Sequence, residues 1–335
     1  MSLFVSGTGI NEVYIKLDHH FNDEVADEVE SRAGNTREIL HAMLTLSDPR
    51  DRWINVRVPP ISPAYSFAEL IYVMAGSNLA EDINPWNPSL PKYQGDCKSY
   101  PGAYGYRLRK EFGFDQLEKT YEALLYNSHS RQVLMDIWSP EIDFPKKHGE
   151  PAGKDIPCNI MSMLKIRNGL LYWTQVMRSN DLFLGLPYDV VLFTSLQEII
   201  AGWLNLDIGE YAHYCDSLHY YVEKKMDVDK TKMGVLKKED LRLCKTASDE
   251  VFRGLYKRMT ELGCCTQTDD IVRSVLHKQS FPEAYENMLL IMCMYMLYRH
   301  HGSSDLISRC YEKCSNDNYQ YLFSEWRKST LKKSI

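Results

Sequence analysis

The sequence predicts an α+β fold: a core of about 230 residues with strands and helices intermixed, and a helical region after it. Three observations predict it. Asn168-Gly169 separates two apolar-rich runs, Asn159 to Arg167 and Leu170 to Met177, which is a strong hairpin signal. The first half alternates such runs with segments of helical period. From about Lys237 to Lys328 helical patterns dominate and strand runs are few. The chain has 335 residues, 44% of them hydrophobic, enough to bury a large core.

In chain order, Ser66 to Gly76 (SFAELIYVMAG) reads as a helix with Ser66 as its N-cap. Phe114 to Tyr126 places Phe114, Leu117, Tyr121, Leu124 and Leu125 at helical spacing. Gln132 to Trp138 reads as a strand, then comes the hairpin. Phe193 to Asn205 reads as a helix packed after it and His213 to Val222 as another strand. The polar stretch Asp227 to Gly234 is the linker candidate, giving a core over residues 1–230 and a helical region over 231–335. Phe281-Pro282 opens the most apolar C-terminal helix and His301-Gly302 closes it. Its run Met288 to Tyr298 is far shorter than the roughly 20 residues a bilayer span needs, so no membrane partner is expected.

The net charge of -6 speaks against a nucleic-acid coat but leaves room for a local phosphate pocket. Nine cysteines, an odd number, with no secretory signal at the start, suit a reducing cytoplasm. Cys264-Cys265 and Cys310/Cys314 lack CxxC partner pairs, so buried thiols are expected there and no metal.

The segment from Asp155 to Tyr221 concentrates the chemistry. It holds Ile156-Pro157-Cys158, then Met177-Arg178-Ser179-Asn180-Asp181, then Gly185-Leu186-Pro187-Tyr188-Asp189, then His219-Tyr220-Tyr221. Upstream stand Glu69-Leu70-Ile71-Tyr72 with Gly76-Ser77-Asn78, Tyr104-Gly105, and Asn127 to Arg131 (NSHSR). This order and spacing resemble the thymidylate synthase family and its phage relatives, the deoxycytidylate hydroxymethylases. The resemblance covers roughly Arg32 to Tyr221 and implies a mixed sheet with flanking helices. The C-terminal helical region has no counterpart in it.

The resemblance also implies roles. Cys158 is the nucleophile: thiolate addition to C6 of a pyrimidine turns C5 into an enolate- or enamine-like carbon that attacks an electrophile. It needs a lowered thiol pKa, which nearby arginines would supply. Many synthases carry histidine after this cysteine. Here it is Asn159, which agrees with a hydroxymethylase. Arg178 and Ser179 resemble phosphate ligands. Arg131 resembles an arginine that reaches the phosphate of a neighbouring subunit, implying a homodimer, although its usual second arginine is Gln132 here. Arg32 resembles a further phosphate arginine. Glu69 resembles the general acid/base, with a capping box Ser66-x-x-Glu69 as the competing reading. Tyr104 assists proton removal from C5. His219 and Tyr221 lie two apart on a strand, so both face one side, as two sugar contacts require. Asp181 resembles the carboxylate that holds the pterin of the co-substrate, 5,10-methylenetetrahydrofolate.

Asp189 carries the substrate expectation. Synthases have asparagine there, whose amide donates to uracil O4 and accepts from N3–H. Cytosine inverts that pattern, and a protonated carboxyl matches it by donating to N3 and accepting from the 4-amino group. The competing reading is a helix N-cap. The expectation is therefore C5 hydroxymethylation of dCMP or CMP. The alternatives are thymidylate synthesis on dUMP, hydroxymethylation of a uracil nucleotide, and an idle nucleotide-binding homologue.

Overall fold

Asn168 and Gly169 both take positive φ, 51° and 74°, so the hairpin closes in a tight two-residue turn as its sequence dictates. The computed structural model describes residues 2–22, 26–31, 34–233, 237–264 and 267–332. Its strands are β1 (Leu3–Gly7), β2 (Asp27–Ser31), β3 (Gly34–Leu46), β4 (Arg57–Val58), β5 (Leu134–Asp136), β6 (Asn159–Arg167), β7 (Leu170–Met177), β8 (Asn180–Asp181), β9 (Asp207–Tyr221) and β10 (Asp227–Val228). The main sheet runs β1-β3-β9-β7-β6-β5, with β2 on β3 and β8 on β9. It is mixed: β1/β3 and β7/β9 pair parallel, whereas β3/β9, β6/β7 and β5/β6 pair antiparallel.

The core helices are α1 (Ile10–Asn22), α2 (Pro63–Ala75), α3 (Ala80–Ile83), α4 (Leu90–Gln94), α5 (Tyr104–Tyr106), α6 (Gln116–Tyr126), α7 (Pro140–Asp143) and α8 (Leu186–Trp203). The C-terminal region supplies α9 (Lys245–Gly263), α10 (Thr268–His277), α11 (Glu283–Arg299), α12 (Ser304–Lys313) and α13 (Asp317–Lys332). One face of the sheet packs on α1 and α8, with α2 stacked on α8. The other face shows half-exposed apolar positions in alternation: Met161 and Met163 on β6, Tyr172 and Val176 on β7, Tyr214 on β9.

Helix α2 starts earlier than the sequence reading had it. Its cap is Ser62, whose hydroxyl accepts from the Tyr65 N–H at 3.3 Å, with Pro63 in the first turn and Gly76 ending it at φ 61°. Ser66 is therefore one turn inside, donating its hydroxyl to the Ser62 carbonyl at 3.2 Å. The capping-box reading of Glu69 falls with that shift. Helix α8 likewise begins at Leu186 instead of Phe193, capped by Gly185, because Pro187 pre-sets the first turn. Asp189 is then inside the helix, not its N-cap. Strand β5 is shorter than Gln132 to Trp138, β9 begins at Asp207 instead of His213, and α6 is capped by Asp115. Gly234 and Cys265, at the expected linker end and cysteine pair, lie outside the described residues.

Helix α11 is buried from Ala284 to Leu297 and contacts α2, as do α9 and α13. Tyr295 stacks on Trp86 at 5.7 Å and donates its hydroxyl to the Trp86 carbonyl at 2.8 Å. Tyr256 donates to Asp82 Oδ2 at 2.7 Å. No helix of the described residues is long and apolar enough to cross a membrane.

The tyrosine-glycine turn has a packing reason. A Cβ on Gly105 would stand 2.5 Å from both Cα and O of Val73, so only glycine lets α5 lie against the backbone of α2. Gly105→Ala should destabilise the fold by about 3 kcal/mol, because backbone cannot yield as a side chain does. Urea denaturation checks this, and a change within about 0.5 kcal/mol would show that the contact gives way.

Candidate active site

Cys158 precedes β6, and its carbonyl accepts from the Arg178 N–H at 2.9 Å. The Arg178 guanidinium folds back over the same loop. Its Nε donates to the Pro157 carbonyl at 2.9 Å, and Nη2 donates to the Ile156 carbonyl at 3.1 Å and lies 3.7 Å from Cys158 Sγ. Burial raises the Cys158 thiol above its ordinary value, and Arg178 only partly offsets it. The expected lowering of the thiol pKa is thus not met: desolvation outweighs one guanidinium whose own side chain is exposed. On the other flank, Asp155 Oδ2 accepts from the Gly102 N–H at 2.7 Å and ties the cysteine loop to the Tyr104 segment.

Glu69 projects from α2, and Tyr65 donates its hydroxyl to Glu69 Oε1 at 3.1 Å. Burial, with the Asp189 charge adding to it, pushes the Glu69 carboxyl up to about 8. Tyr104 stacks on Phe193 of α8 with centroids 6.1 Å apart. Its phenol is held well above its usual range by burial, then by the Asp189, Cys158 and Glu69 charges. Cys158, Glu69, Tyr104 and Asp189 are therefore close enough for their charges to act on one another.

Asp189 lies in the first turn of α8, where the helix dipole favours a carboxylate. Burial wins, and the carboxyl is pushed up to about 7 although Asn180 Nδ2 donates to its Oδ2 at 2.9 Å. The acid is protonated for an appreciable fraction of the time near neutrality.

His219 and Tyr221 meet edge-on at 5.5 Å, and Ser179 Oγ lies 3.4 Å from His219 Nδ1. Their half-buried position comes from a break in the β9 alternation. Buried residues run Tyr211, His213 and Cys215, then Leu218 and Tyr220, so the pattern slips by one at Asp216-Ser217. The slip lies opposite His41 of β3, which has φ 56°. Without it His219 and Tyr221 would continue the core face. Asp181 Oδ1 accepts from the Phe183 and Leu184 N–H groups at 2.8 Å each, while Oδ2 is buried without a hydrogen-bond partner. Arg131 is exposed on the loop between α6 and β5 and makes no ion pair among the described residues. Arg32 lies outside the described residues.

The structure adds residues that the sequence reading passed over. His213 is buried beside Asn180, with Tyr211 Oη 3.0 Å from its Nδ1, and burial pushes its pKa down to about 3. Gln175 Nε2 donates to Asn159 Oδ1 at 2.6 Å, leaving the buried Asn159 Nδ2 without a partner. The only signal for these in the sequence was the polar spacing Tyr211-x-His213 on a strand, which reads equally as core. Among the described residues no group of three or more His, Cys, Asp or Glu could hold a metal ion. A cavity of about 330 Å³ lined by Arg50, Arg52, Lys237 and Asn318 involves none of the site residues above.

Glu69→Gln tests the buried acid through stability. In the unfolded chain a glutamate ionises near 4.5, whereas here it holds its proton to about 8. The folded state therefore binds more protons between those values, and stability falls as pH rises through that window. Glutamine removes the loss, so the variant should gain on the order of 3 kcal/mol over the parent at pH 8 and little at pH 4. Equal gains at both pH values would show that Glu69 is ionised in the fold.

Comparison with known proteins gives the family. The Thymidylate synthase family model matches residues 59–252. A deoxyuridylate hydroxymethyltransferase of Bacillus phage SP01 is 28% identical over 208 residues, 59% of this chain and 53% of its own. The deoxyuridylate hydroxymethyltransferase of Pseudomonas phage M6 is 30% identical over 164 residues, 48% and 45% of the two chains. A protein of Methanothermobacter marburgensis, provisionally named a thymidylate synthase, is 25% identical over 232 residues, 66% of this chain and 94% of its own. The match spans about half the length of the two phage relatives. With more than half of the chain matched by the family model, from just before α2 into α9, the chain belongs to the thymidylate synthase family.

Proposed function

We propose that the chain is a folate-dependent C5 hydroxymethyltransferase that acts on a cytosine nucleotide, dCMP or CMP, through a covalent Cys158 adduct. The observation that carries this reading is Asp189, a half-buried carboxyl whose surroundings push its proton affinity up to about 7, at the place where the resemblance puts the base reader. In its protonated form it offers one O–H donor and one acceptor, the complement of the cytosine N3 and 4-amino pair.

The Cys158 thiolate adds to C6, with Arg178 beside the sulfur, and C5 becomes nucleophilic. Methylenetetrahydrofolate supplies the one-carbon electrophile. Asp181 Oδ2, buried and unpartnered, offers an acceptor for its pterin N–H groups, so the residues fit this co-substrate. Glu69, protonated up to about 8, can hold a proton for the ring or for the leaving amine. Tyr104 stays a neutral phenol that orients the water taking the C5 proton. C5 bonds to the one-carbon unit and loses its proton, the carbon–nitrogen bond breaks and tetrahydrofolate leaves as a protonated amine. Water then adds to the exocyclic methylene so exposed, Cys158 leaves C6, and the product is the 5-hydroxymethylcytosine nucleotide. Ser179, Arg178, His219 and Tyr221 hold phosphate and sugar.

Two features support a homodimer with Arg131 acting in trans. Arg131 is exposed, and its side chain makes no hydrogen bond or ion pair among the described residues. One sheet face carries the half-exposed row Met161, Met163, Tyr172, Val176 and Tyr214. Mixing Arg131→Ala with Cys158→Ala, each inactive alone, should restore about a quarter of parental activity, from the one intact site in each randomly formed heterodimer. Absence of recovery after subunit exchange would place Arg131 on its own site or outside it.

A second reading is favoured by the phage relatives, whose names give deoxyuridylate as substrate. Mass spectrometry of products from dCMP, CMP and dUMP, each with methylenetetrahydrofolate, separates the readings. A hydroxymethyl gain on a cytosine nucleotide supports the proposal. The same gain on dUMP alone favours the second reading, and a methyl gain on dUMP indicates thymidylate synthesis.

A further inference from the structure

A protonated carboxyl is not by itself selective between the two pyrimidines. Moving its proton from one oxygen to the other exchanges donor and acceptor. One arrangement matches cytosine, with its acceptor N3 and donor 4-amino group. The other matches uracil, with its donor N3–H and acceptor O4. Selectivity needs something that fixes the proton.

Asn180 is placed to do this. Its Nδ2 lies 2.9 Å from Asp189 Oδ2, and an amide nitrogen only donates, so Oδ2 must accept, which a carbonyl oxygen does better than the hydroxyl oxygen of the protonated acid. The same Nδ2 lies 3.5 Å from His213 Nε2. A neutral imidazole accepts there when its hydrogen is on Nδ1, which faces Tyr211 Oη at 3.0 Å. The two amide hydrogens are then aimed at Asp189 and at His213. Turning the amide over would put the NH2 where Oδ1 now lies buried without a partner. Two orphaned donors cost more than one under-used carbonyl. The slot is also tight, since a Cβ on Gly185 would stand 3.1 Å from that Oδ1.

We propose that Asn180, held by His213 and Tyr211, is a positioning residue that keeps the proton of Asp189 on Oδ1 and so makes the acid a one-way reader of the pyrimidine edge. This rests on the reading that Asp189 contacts the base. It extends that reading, because selectivity belongs to the four-residue chain Tyr211–His213–Asn180–Asp189 and not to the carboxyl alone.

The test is the ratio of kcat/KM for dCMP over dUMP in the parent, Asn180→Ala and Asp189→Asn. In Asn180→Ala the ratio should move at least about tenfold toward one, the worth of one lost buried hydrogen bond in discrimination. A merely structural defect would lower both values together. If Asp189→Asn shifts the ratio but Asn180→Ala leaves it unchanged, the inference is overturned and the Asp189 reading stands. If Asp189→Asn leaves it unchanged, the Asp189 reading fails and takes the inference with it. A parent that prefers dUMP, with the preference relaxed in Asn180→Ala, overturns the cytosine assignment and supports the inference. Should Asn180→Ala not fold, Tyr211→Phe removes only the hydroxyl that anchors His213. A shift of several-fold toward one then supports the inference, and an unchanged ratio overturns it.

Discussion

Cys158→Ala should bind the nucleotide and turn over none of it, with kcat falling by about 10⁴-fold or more. The size follows from the chemistry. Without a bond from sulfur to C6, C5 remains part of an electron-poor ring and cannot attack the one-carbon donor. Nothing else in the site substitutes, because Cys215, the other thiol near it, is buried in β9 and held well above its ordinary range by burial. Binding should persist, since in the proposed site phosphate, sugar and base fall to other side chains. Calorimetric titration of the variant with nucleotide, beside single-turnover product analysis, separates the two effects. A residual rate above about one per cent of the parent would remove Cys158 from the role of nucleophile. Because the thiol is raised by burial with Arg178 opposing, alkylation of Cys158 should speed up with pH and be slowed further by Arg178→Gln.

Asp189→Asn should invert base preference, lowering kcat/KM for the cytosine nucleotide by about 10²- to 10⁴-fold while raising that for dUMP. Two buried polar contacts become mismatched, each worth roughly 1–3 kcal/mol. The pH dependence carries its own sign. On the proposed reading cytosine is bound by the protonated acid, so activity on cytosine should decline as pH rises through about 7. The asparagine variant has no proton to lose there, and its activity on dUMP should lack that limb. Steady-state kinetics from pH 5.5 to 9 on both nucleotides would settle this. A parent profile flat through neutrality would show that the carboxylate form is competent.

The parts of the fold that sequence revealed were local. The β6–β7 hairpin was legible to the residue because Asn168-Gly169 dictates its turn and the flanking runs alternate. The starts of α2 and α8 were misplaced because Ser62-Pro63 and Gly185-Leu186-Pro187 stand ahead of the apolar period that draws attention. Cys158, Glu69, Tyr104 and Asp189 were legible as a motif order, and the fold brings them into one site. The Asn180–His213–Tyr211 chain was not, because it depends on β8 lying beside β9 and on which β9 side chains face inward. Nor was the direction of the Cys158 shift, since burial arises from elements far apart in the chain.

Those distant elements change how the site can be transplanted. Helix α2 is dry along nearly its whole length because α8 covers one flank while α9, α11 and α13 cover another. Helices α10 to α13 lie beyond residue 252, outside the segment shared with the family. What this sleeve dries is the body of α2, where Ser66, Leu70, Val73 and Met74 are buried while Glu69 is only half-buried, so it fixes the helix from which Glu69 projects. Grafting Cys158, Glu69, Tyr104 and Asp189 onto a shorter homologue would carry over the residues without the packing that holds α2 in place. Such a chimera should carry the right residues on a helix left half uncovered, with the distance from Glu69 to Cys158 no longer fixed.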